Sequence, residues 1–224
     1  MSTDPRHPAA AARARRAPAG DGLRVIALVG RAGSGKSTVA RALAARGAEV
    51  VDADRLGHAV PDTDPEVRAA LAAEYGAGVY GADGRLDRAR VAARVFSDPA
   101  ARARLDALVH PRIVTRIRAA LAVLRARGFR GPVLVDGALL LEWGFERECD
   151  AVIAVTAPEA AQVARLVAAR GWSAAEAQRR LAAQPPAARL AAAADEVLVN
   201  DGDERALAAA AESVLARLAA RAGA

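Results

Sequence analysis

The sequence has little cysteine, few aromatic residues and no long apolar run. Cys149 is the only cysteine among 224 residues, which excludes an intrachain disulfide and a cysteine-rich zinc site and fits a reducing cytoplasm. No apolar stretch approaches the roughly 20 residues that a membrane-spanning helix needs, so we expect no membrane partner. Aromatic residues make up 3% and hydrophobic residues 53% of the chain, so alanine, valine and leucine must fill a sizeable core.

Positive charge is in excess, but it is dispersed along the chain. The formal net charge is +6, and the arginines are interleaved with aspartate and glutamate. No basic helix carries aromatic residues on which bases would stack, so we expect no nucleic-acid partner, whereas small polyanionic substrates suit this charge. Lys36 is the only lysine among 32 basic residues. A compact, flexible ammonium is therefore required at this position, where the broad planar guanidinium of arginine would fit poorly.

A glycine-rich segment that follows the apolar run Val25 to Val29 carries the strongest functional signal. Its Gly-x-x-x-x-Gly-Lys-Ser pattern, between a buried strand and a helix, predicts a phosphate loop. The glycines let successive main-chain amides turn toward one anion, and the helix beginning near Lys36 adds its positive dipole end. We expect Lys36 to contact the β- and γ-phosphates and Ser37 to bind Mg²⁺. The predicted ATP-binding residues here are Gly30, Arg31, Ala32, Gly33, Ser34, Gly35, Lys36, Ser37 and Thr38.

Strand and helix patterns alternate along the chain, which predicts an α/β fold with a five-stranded parallel sheet and helices on both faces. The predicted strands are residues 23–29, 49–52, 132–135, 151–155 and 196–199. The predicted helices are residues 36–46, 66–75, 88–96, 99–127, 158–170, 173–184 and 203–221. The longest of these is expected to break at His110-Pro111, because the residue before a proline is disfavoured in the α region.

Three local signals refine this outline. Residues 1–21 are rich in alanine, arginine and proline without periodicity, so we predict a disordered tail. Ser173 with Glu176 three residues later forms a capping box at a helix start. Asp203 is expected to cap the last helix.

Carboxylates follow two of the predicted strands. Asp52 and Asp54 end the second strand, and residues two apart in an extended segment point the same way. Ligands bind beyond the carboxyl ends of parallel strands, so Asp54 is placed to reach a substrate hydroxyl; alternatively, one or both carboxylates cap the next helix. Asp136 ends the third strand, where an aspartate commonly orients Mg²⁺ or its water, and Glu142 follows.

In combination these residues resemble the dephospho-coenzyme A kinase family over about residues 23–218. The phosphate loop alone is shared by many kinases, and the other elements in this order are much more specific. They include Val51-Asp52-Ala53-Asp54, His110-Pro111-x-Ile113, Asp136-x-x-Leu139-Leu140-x-Glu142, Gln162-x-x-Arg165-Leu166, Gly171-x-Ser173 with Gln184, and Asn200-x-Gly202.

The resemblance implies a phosphate-loop kinase that uses ATP and Mg²⁺ to phosphorylate the ribose 3′-hydroxyl of dephospho-coenzyme A, the last step of coenzyme A biosynthesis. Asp54 matches the family's proposed general base or hydroxyl-orienting aspartate. Arg165 belongs to the lid helix that closes over the phosphates, and Asn200 lies in the loop that edges the adenine. With Lys36, these assignments make Asp54 and Arg165 the predicted catalytic residues.

The same resemblance extends to the organisation of the chain. Residues 22–221 are expected to form one kinase domain, with a helical substrate-side insert at about residues 60–127 and a lid at about residues 158–194. The protein is expected in the cytoplasm as a monomer or weak oligomer. His110 is either an acceptor contact or, by the preferred reading, part of a plain helix break. The predicted acceptor contacts are Asp54, His58, His110, Leu139 and Glu142, and the predicted metal ligands are Ser37 and Asp136.

Some positions depart from the family pattern. The glycine usual after Gly30 is replaced by Arg31, and the lid arginine expected at residue 169 is an alanine, with Arg170 one place later. A basic run before the fifth strand is reduced to Arg189. Two other functions therefore stay open from the sequence: a kinase for another small molecule or nucleotide, and a nucleotide-binding regulatory protein without catalysis.

Overall fold

The computed structural model describes residues 22–222, without the side chains of residues 96, 97, 221 and 222. The predicted tail, residues 1–21, lies outside the described residues. The chain divides into two compact units, one containing the residues up to Val51 and from Leu124 onward, and the other containing Asp52–Val123.

The first unit is built on a five-stranded sheet of order β2-β3-β1-β4-β5. β1 pairs in parallel with β3 and β4, and β4 pairs in parallel with β5. The predicted fold class is confirmed, and each strand lies within one residue of its predicted bounds. The strands are β1 Arg24–Val29, β2 Glu49–Asp52, β3 Pro132–Asp136, β4 Ala151–Thr156 and β5 Glu196–Val199.

The central strand β1 is apolar without alternation because helices cover both faces of a parallel sheet. Its residues from Val25 to Val29 are at most 4% exposed. On one side Ile26 and Leu28 belong to a core that includes Leu43 of helix α1 (Lys36–Ala44) and Leu207 of helix α9 (Glu204–Ala222). This packing fixes the carboxyl end of β1, from which the phosphate loop begins.

The remaining helices of this unit follow the predicted order, with one addition. Both predicted N-caps are confirmed: the Ser173 hydroxyl accepts from the Glu176 amide at 3.1 Å, and Asp203 accepts from the Arg205 amide at 2.8 Å. The second half of the predicted capping box does not form, because the Glu176 carboxylate accepts from Arg179 and Arg180 instead. α8 was not predicted, because its alanine-rich sequence has a single large buried residue, Leu190, and shows no apolar period. The helices are α6 Glu159–Arg170, α7 Ala174–Ala182 and α8 Ala187–Ala193, with a 3₁₀ helix at Phe145–Glu148.

The second unit is helical, and its first helix corrects the sequence interpretation. The extended segment expected through Asp54 is wrong, because β2 ends at Asp52 and helix α2 begins at the next residue. The Asp52 carboxylate accepts from the Arg55 amide at 2.8 Å and so caps this helix. Gly57 and Pro61 hid the helical pattern. The helices are α2 Ala53–Thr63, α3 Pro65–Tyr75, α4 Arg88–Ser97 and α5 Pro99–Ala126, with a 3₁₀ helix at Ala77–Val79.

The predicted break at His110-Pro111 is also wrong, since α5 runs through Pro111 for 28 residues. A proline removes one helical hydrogen bond and distorts the preceding turn. The bond that Pro111 cannot make is the one to the Ala107 carbonyl; beside it the Arg112 guanidinium donates to the Leu108 carbonyl at 2.9 Å, which links the turns on either side of the proline. Ile113 and Ile117 follow at 4% and 0% exposure, so burial also supports the continued helix. Within residues 22–222 no helix is long and apolar enough to cross a membrane.

Candidate active site

The phosphate loop joins β1 to α1, and its shape depends on two glycines. Gly35 has φ 106° and is the N-cap of α1, and Gly33 has φ 73°, both in the region that favours glycine. A Cβ on Gly33 would lie 2.8 Å from the Gln162 carbonyl oxygen, and one on Gly35 would collide with the Asn200 amide. Both the backbone conformation and the close neighbours therefore require glycine at these positions.

Four main-chain amides of this loop are left for an anion. Within the described chain, residues 22–222, the amides of Gly33, Gly35, Lys36 and Ser37 have no hydrogen-bond acceptor. They are consecutive except for Ser34, whose amide closes a turn on the Arg31 carbonyl at 3.1 Å. No side chain caps α1, so its positive end adds to the same site. We name these four amides the amide cradle.

Lys36 lies across the loop that contains this cradle. Its side chain is partly buried, and its Nζ donates to the Gly30 carbonyl at 3.1 Å. This bond bends the ammonium back over the loop from the first residue of α1. A full positive charge therefore lies at the loop, and its contact with a phosphate stays a prediction.

Two predicted site residues, Arg165 and Asn200, brace the loop from outside. The Asn200 side-chain amide donates to the Ser34 carbonyl at 2.9 Å, and its oxygen accepts from Arg165 at 3.0 Å. A second Arg165 nitrogen donates to the Gly33 carbonyl at 3.0 Å. Asn200 is 4% exposed and its main-chain amide donates to Thr156, so β5 and β4 fix its position. This bracing is the contact that the structure shows for Asn200; its predicted place beside the adenine stays a prediction.

Residues near the start of the loop contact the segment formed by α6 and α7. The Arg31 guanidinium pairs with Glu159 of α6 at 3.0 Å, and the Ala32 amide donates to the Gln184 side-chain oxygen at 2.8 Å. Arg31, which replaces the family's usual glycine, is thereby an anchor with an 11% exposed side chain. Gln184 appears in the sequence analysis only as part of the family pattern and without a task, because its partner is 152 residues away and no local pattern marks that distance.

Oxygen ligands for a cation come from two predicted residues in this unit. Ser37 is exposed in the first turn of α1, and Asp136 ends β3 in register with Leu28, two residues before Gly30. Hydroxyl and carboxylate oxygens are ligands that suit Mg²⁺. No group of three or more histidine, cysteine, aspartate or glutamate residues could hold a metal within the described part of the chain. A cation here would depend on phosphate oxygens and water for its other ligands.

The turn after β3 places the predicted acceptor contacts Leu139 and Glu142. The Leu139 carbonyl accepts from the Glu142 and Trp143 amides at 3.0 and 3.1 Å, which closes a tight turn. Leu140 between them is fully buried, so Leu139 and Glu142 stay nearer the surface. The Glu142 carboxylate lies 3.8 Å from Arg189, the basic residue left before the fifth strand.

The other predicted acceptor contacts belong to the second unit. Asp54 is exposed in the first turn of α2, whereas Asp52 caps that helix. His58 is exposed on α2, and its carbonyl accepts from Arg88 at 2.5 Å. His110 Nε2 lies 3.4 Å from Asp106 one helical turn earlier on α5. The cap at Asp52 confirms, for that residue, the alternative that one of these carboxylates caps the next helix, and the role of Asp54 stays a prediction.

One cavity of the first unit lies away from the loop. It has a volume of about 530 Å³ and lies at the amino ends of β1 and β3, where Arg24 and Pro132 contribute to its wall. The phosphate loop leaves the opposite end of β1. Arg46 in this cavity follows α1 and pairs with Glu212 at 2.7 Å, so it offsets the negative end of that helix. We assign this cavity no part in the phosphate site.

Comparison with known proteins gives one consistent match. The family model for dephospho-CoA kinase (CoaE) matches residues 24–205. A curated dephospho-CoA kinase from Anaeromyxobacter dehalogenans is 45% identical over 196 residues, covering 88% of this chain and 92% of that protein. One from Dechloromonas aromatica is 41% identical over 182 residues, covering 80% and 86%.

Two solved structures share the fold. A Thermus thermophilus protein, TT1252, has a TM-score of 0.73 at 36% identity, covering 88% of this chain and 98% of that one. A dephospho-CoA kinase from Campylobacter jejuni has a TM-score of 0.59 at 18% identity, covering 88% and 98%, and supports the fold alone.

Proposed function

Because this chain belongs to the dephospho-CoA kinase family, we propose that it transfers the γ-phosphoryl group of ATP to the ribose 3′-hydroxyl of dephospho-coenzyme A. The observation that carries the proposal is the amide cradle beside Lys36, whose donors and charge suit the phosphates of a nucleotide. Phosphoryl transfer needs in-line positioning and charge neutralisation more than covalent chemistry by the protein. An array of fixed amides and one ammonium supplies both.

In this proposal the loop binds the phosphates through fixed dipoles. The amides of Gly33, Gly35, Lys36 and Ser37 donate to phosphate oxygens, and the ammonium of Lys36 leaves the Gly30 carbonyl to contact the β- and γ-phosphates. These donors need little reorganisation when charge moves during transfer, because the braces from Asn200 and Arg165 already fix the loop. Arg165 acts here through the loop carbonyl it contacts.

Ser37 and Asp136 are the residues that would hold Mg²⁺ with the nucleotide, and their oxygen chemistry fits it. The ion would neutralise charge on the β- and γ-phosphate oxygens. Ser37 also belongs to the amide cradle, so its amide would bind a phosphate while its hydroxyl binds Mg²⁺. Asp136 belongs to the strand next to β1, the strand from which the loop begins.

For the acceptor, we propose Asp54 as the group that receives or orients the 3′-hydroxyl proton. Its carboxylate is exposed in the first turn of α2, and the capping of α2 is done by Asp52. Asp54 is therefore not required for that cap. His58, His110, Leu139 and Glu142 are proposed as further acceptor contacts. A cytoplasmic location and a monomeric or weakly oligomeric state remain predictions from the sequence.

The test is acceptor-dependent release of ADP by the purified protein with ATP and Mg²⁺. We expect turnover with dephospho-coenzyme A. Lys36→Ala should lower this turnover at least 100-fold, because it removes the ammonium that contacts the γ-phosphate. Arg41→Ala is the matched control, because Arg41 is a 71% exposed cation on the same helix outside the loop. It should keep turnover within twofold.

Two outcomes would reject the assignment. Turnover with another hydroxyl acceptor, in a panel of nucleosides, nucleotides and sugars, together with none for dephospho-coenzyme A, would indicate a different small-molecule kinase. ATP binding without transfer to any acceptor, unchanged in Asp54→Asn, would indicate a regulatory nucleotide-binding protein.

A further inference from the structure

Three consecutive residues of the phosphate loop are each fixed by the α6–α7 segment (residues 159–184). Arg31 pairs with Glu159, the Ala32 amide donates to Gln184, and the Gly33 carbonyl accepts from Arg165. The contacts cover both main-chain groups and a side chain, and all are 3.0 Å or shorter. The segment therefore determines the conformation of the loop just before the amide cradle.

We propose that Gln184 is a positioning residue for ATP, because its side-chain oxygen binds the Ala32 amide and so fixes the loop in the conformation that presents the cradle. This inference rests on the proposed function, in which the loop binds ATP. It assigns a task to a residue that has no charge, no nucleophile and no contact with the four cradle amides.

Gln184 is itself in a fixed place. Its main-chain amide donates to the Leu181 carbonyl at 3.0 Å, in a turn that ends α7, and a buried proline follows it. Leu181 is fully buried in a small core with Leu166 and Ala177, against which the Ala32 methyl packs. Side-chain packing and a hydrogen bond therefore locate Ala32 from the same two helices.

The bond also separates the Ala32 amide from the amides of the cradle, because it turns the Ala32 amide toward Gln184. The Ala32 amide points to Gln184, and the amides that follow it, from Gly33 onward, supply the cradle. Without an acceptor the Ala32 amide would be left unsatisfied in a partly buried place, or it would turn toward another acceptor and rotate the next peptide. Ordering such a loop when ATP binds would then reduce affinity, since the cost of immobilisation is taken from the binding free energy.

The experiment compares two substitutions of the same type in the same segment. Gln184→Leu removes the acceptor at nearly constant volume, and Gln178→Leu makes the same change at an exposed position of α7. ATP affinity is measured by titration calorimetry, and KM and kcat are measured for both substrates. For Gln184→Leu we expect a five- to tenfold weaker Kd and higher KM for ATP, the size of one lost hydrogen bond.

The pattern of the constants separates positioning from a general loss of structure. For Gln184→Leu we expect the KM for dephospho-coenzyme A and the kcat to stay within threefold of the parent values, and the melting temperature to stay within 3 °C. For Gln178→Leu we expect no change in any of these quantities. Gln184→Asn, one methylene too short to reach, should reproduce the weaker ATP binding if Gln184→Leu does not fold. Unchanged ATP affinity in folded variants, or equal loss in Gln178→Leu, would overturn the inference. If the parent binds ATP but transfers nothing to dephospho-coenzyme A, the proposed function fails while the calorimetry still decides the role of Gln184.

Discussion

Replacing Asn200 by alanine tests whether bracing of the loop contributes to stability. The substitution removes the bond to the Ser34 carbonyl at 2.9 Å and the bond from Arg165 at 3.0 Å, both at a residue that is 4% exposed. A neutral hydrogen bond contributes about 1 kcal/mol, and one to a charged donor about 1.5–3 kcal/mol, of which the lower end applies to a partly solvated guanidinium. We therefore expect a loss of about 2–3 kcal/mol, or roughly 4–12 °C in melting temperature for a chain of this size.

The free energy of unfolding is measured by urea titration and scanning calorimetry, with Val199→Ala as the control. Val199 precedes Asn200 and is 62% exposed, so its truncation should change stability by no more than about 0.5 kcal/mol. Asn200→Asp is a further variant of the same shape, which keeps an acceptor for Arg165 but turns the donor facing the Ser34 carbonyl into an oxygen. We expect it to weaken ATP binding more than alanine does, because it also adds negative charge beside the phosphates. An Asn200→Ala protein as stable as Val199→Ala would refute the reasoning.

Three other predictions concern the loop, the acceptor side and acid stability. Gly33→Ala should weaken ATP binding about tenfold in calorimetry, because φ 73° strains a side chain and the new Cβ meets the Gln162 carbonyl; normal affinity would contradict this. Asp54→Asn should lower kcat by about 10²–10⁴-fold with ATP affinity unchanged, whereas Asp52→Asn should stay near the parent, because asparagine also caps helices. Burial alone would raise the pKa of Asp62, but hydrogen bonds from Arg88 and the Leu86 amide lower it below its ordinary 3.8. The stability that this group contributes is present above pH 3.8 and is lost as pH falls through the folded-state pKa. In acid titrations the free energy of unfolding of Asp62→Asn should therefore fall less steeply with decreasing pH than that of the parent, and equal slopes would exclude the effect.

The phosphate loop was predictable because its requirements are local. The glycines, Lys36 and Ser37 stand at fixed spacing directly after an apolar strand, and the structure adds positive φ at Gly33 and Gly35. The chain also has a single lysine and a single asparagine, and both belong to this site. In a sequence so biased toward arginine and alanine, the rare residue types mark positions where no common residue will serve.

The region after β2 was harder to predict for an equally physical reason. An aspartate that ends a strand and one that begins a helix look alike in sequence, and only the bond from the Arg55 amide to Asp52 distinguishes them. In α5, Pro111 predicted a break that the structure does not contain, because the Arg112 side chain and two buried isoleucines support the helix through it. Local preference was outweighed in both cases by a partner or by burial.

The sequence by itself determined the order of strands and helices, the position of the phosphate loop and the family resemblance. These features depend on periodicity and on residues a few positions apart. Only the tertiary structure decided which groups fix the loop: Asn200 and Arg165 from one side, and Gln184 from a turn 152 residues beyond Ala32. Hydrogen bonds act over about 3 Å in space and are indifferent to distance along the chain. For that reason no pattern of neighbouring residues can show them before the chain is folded.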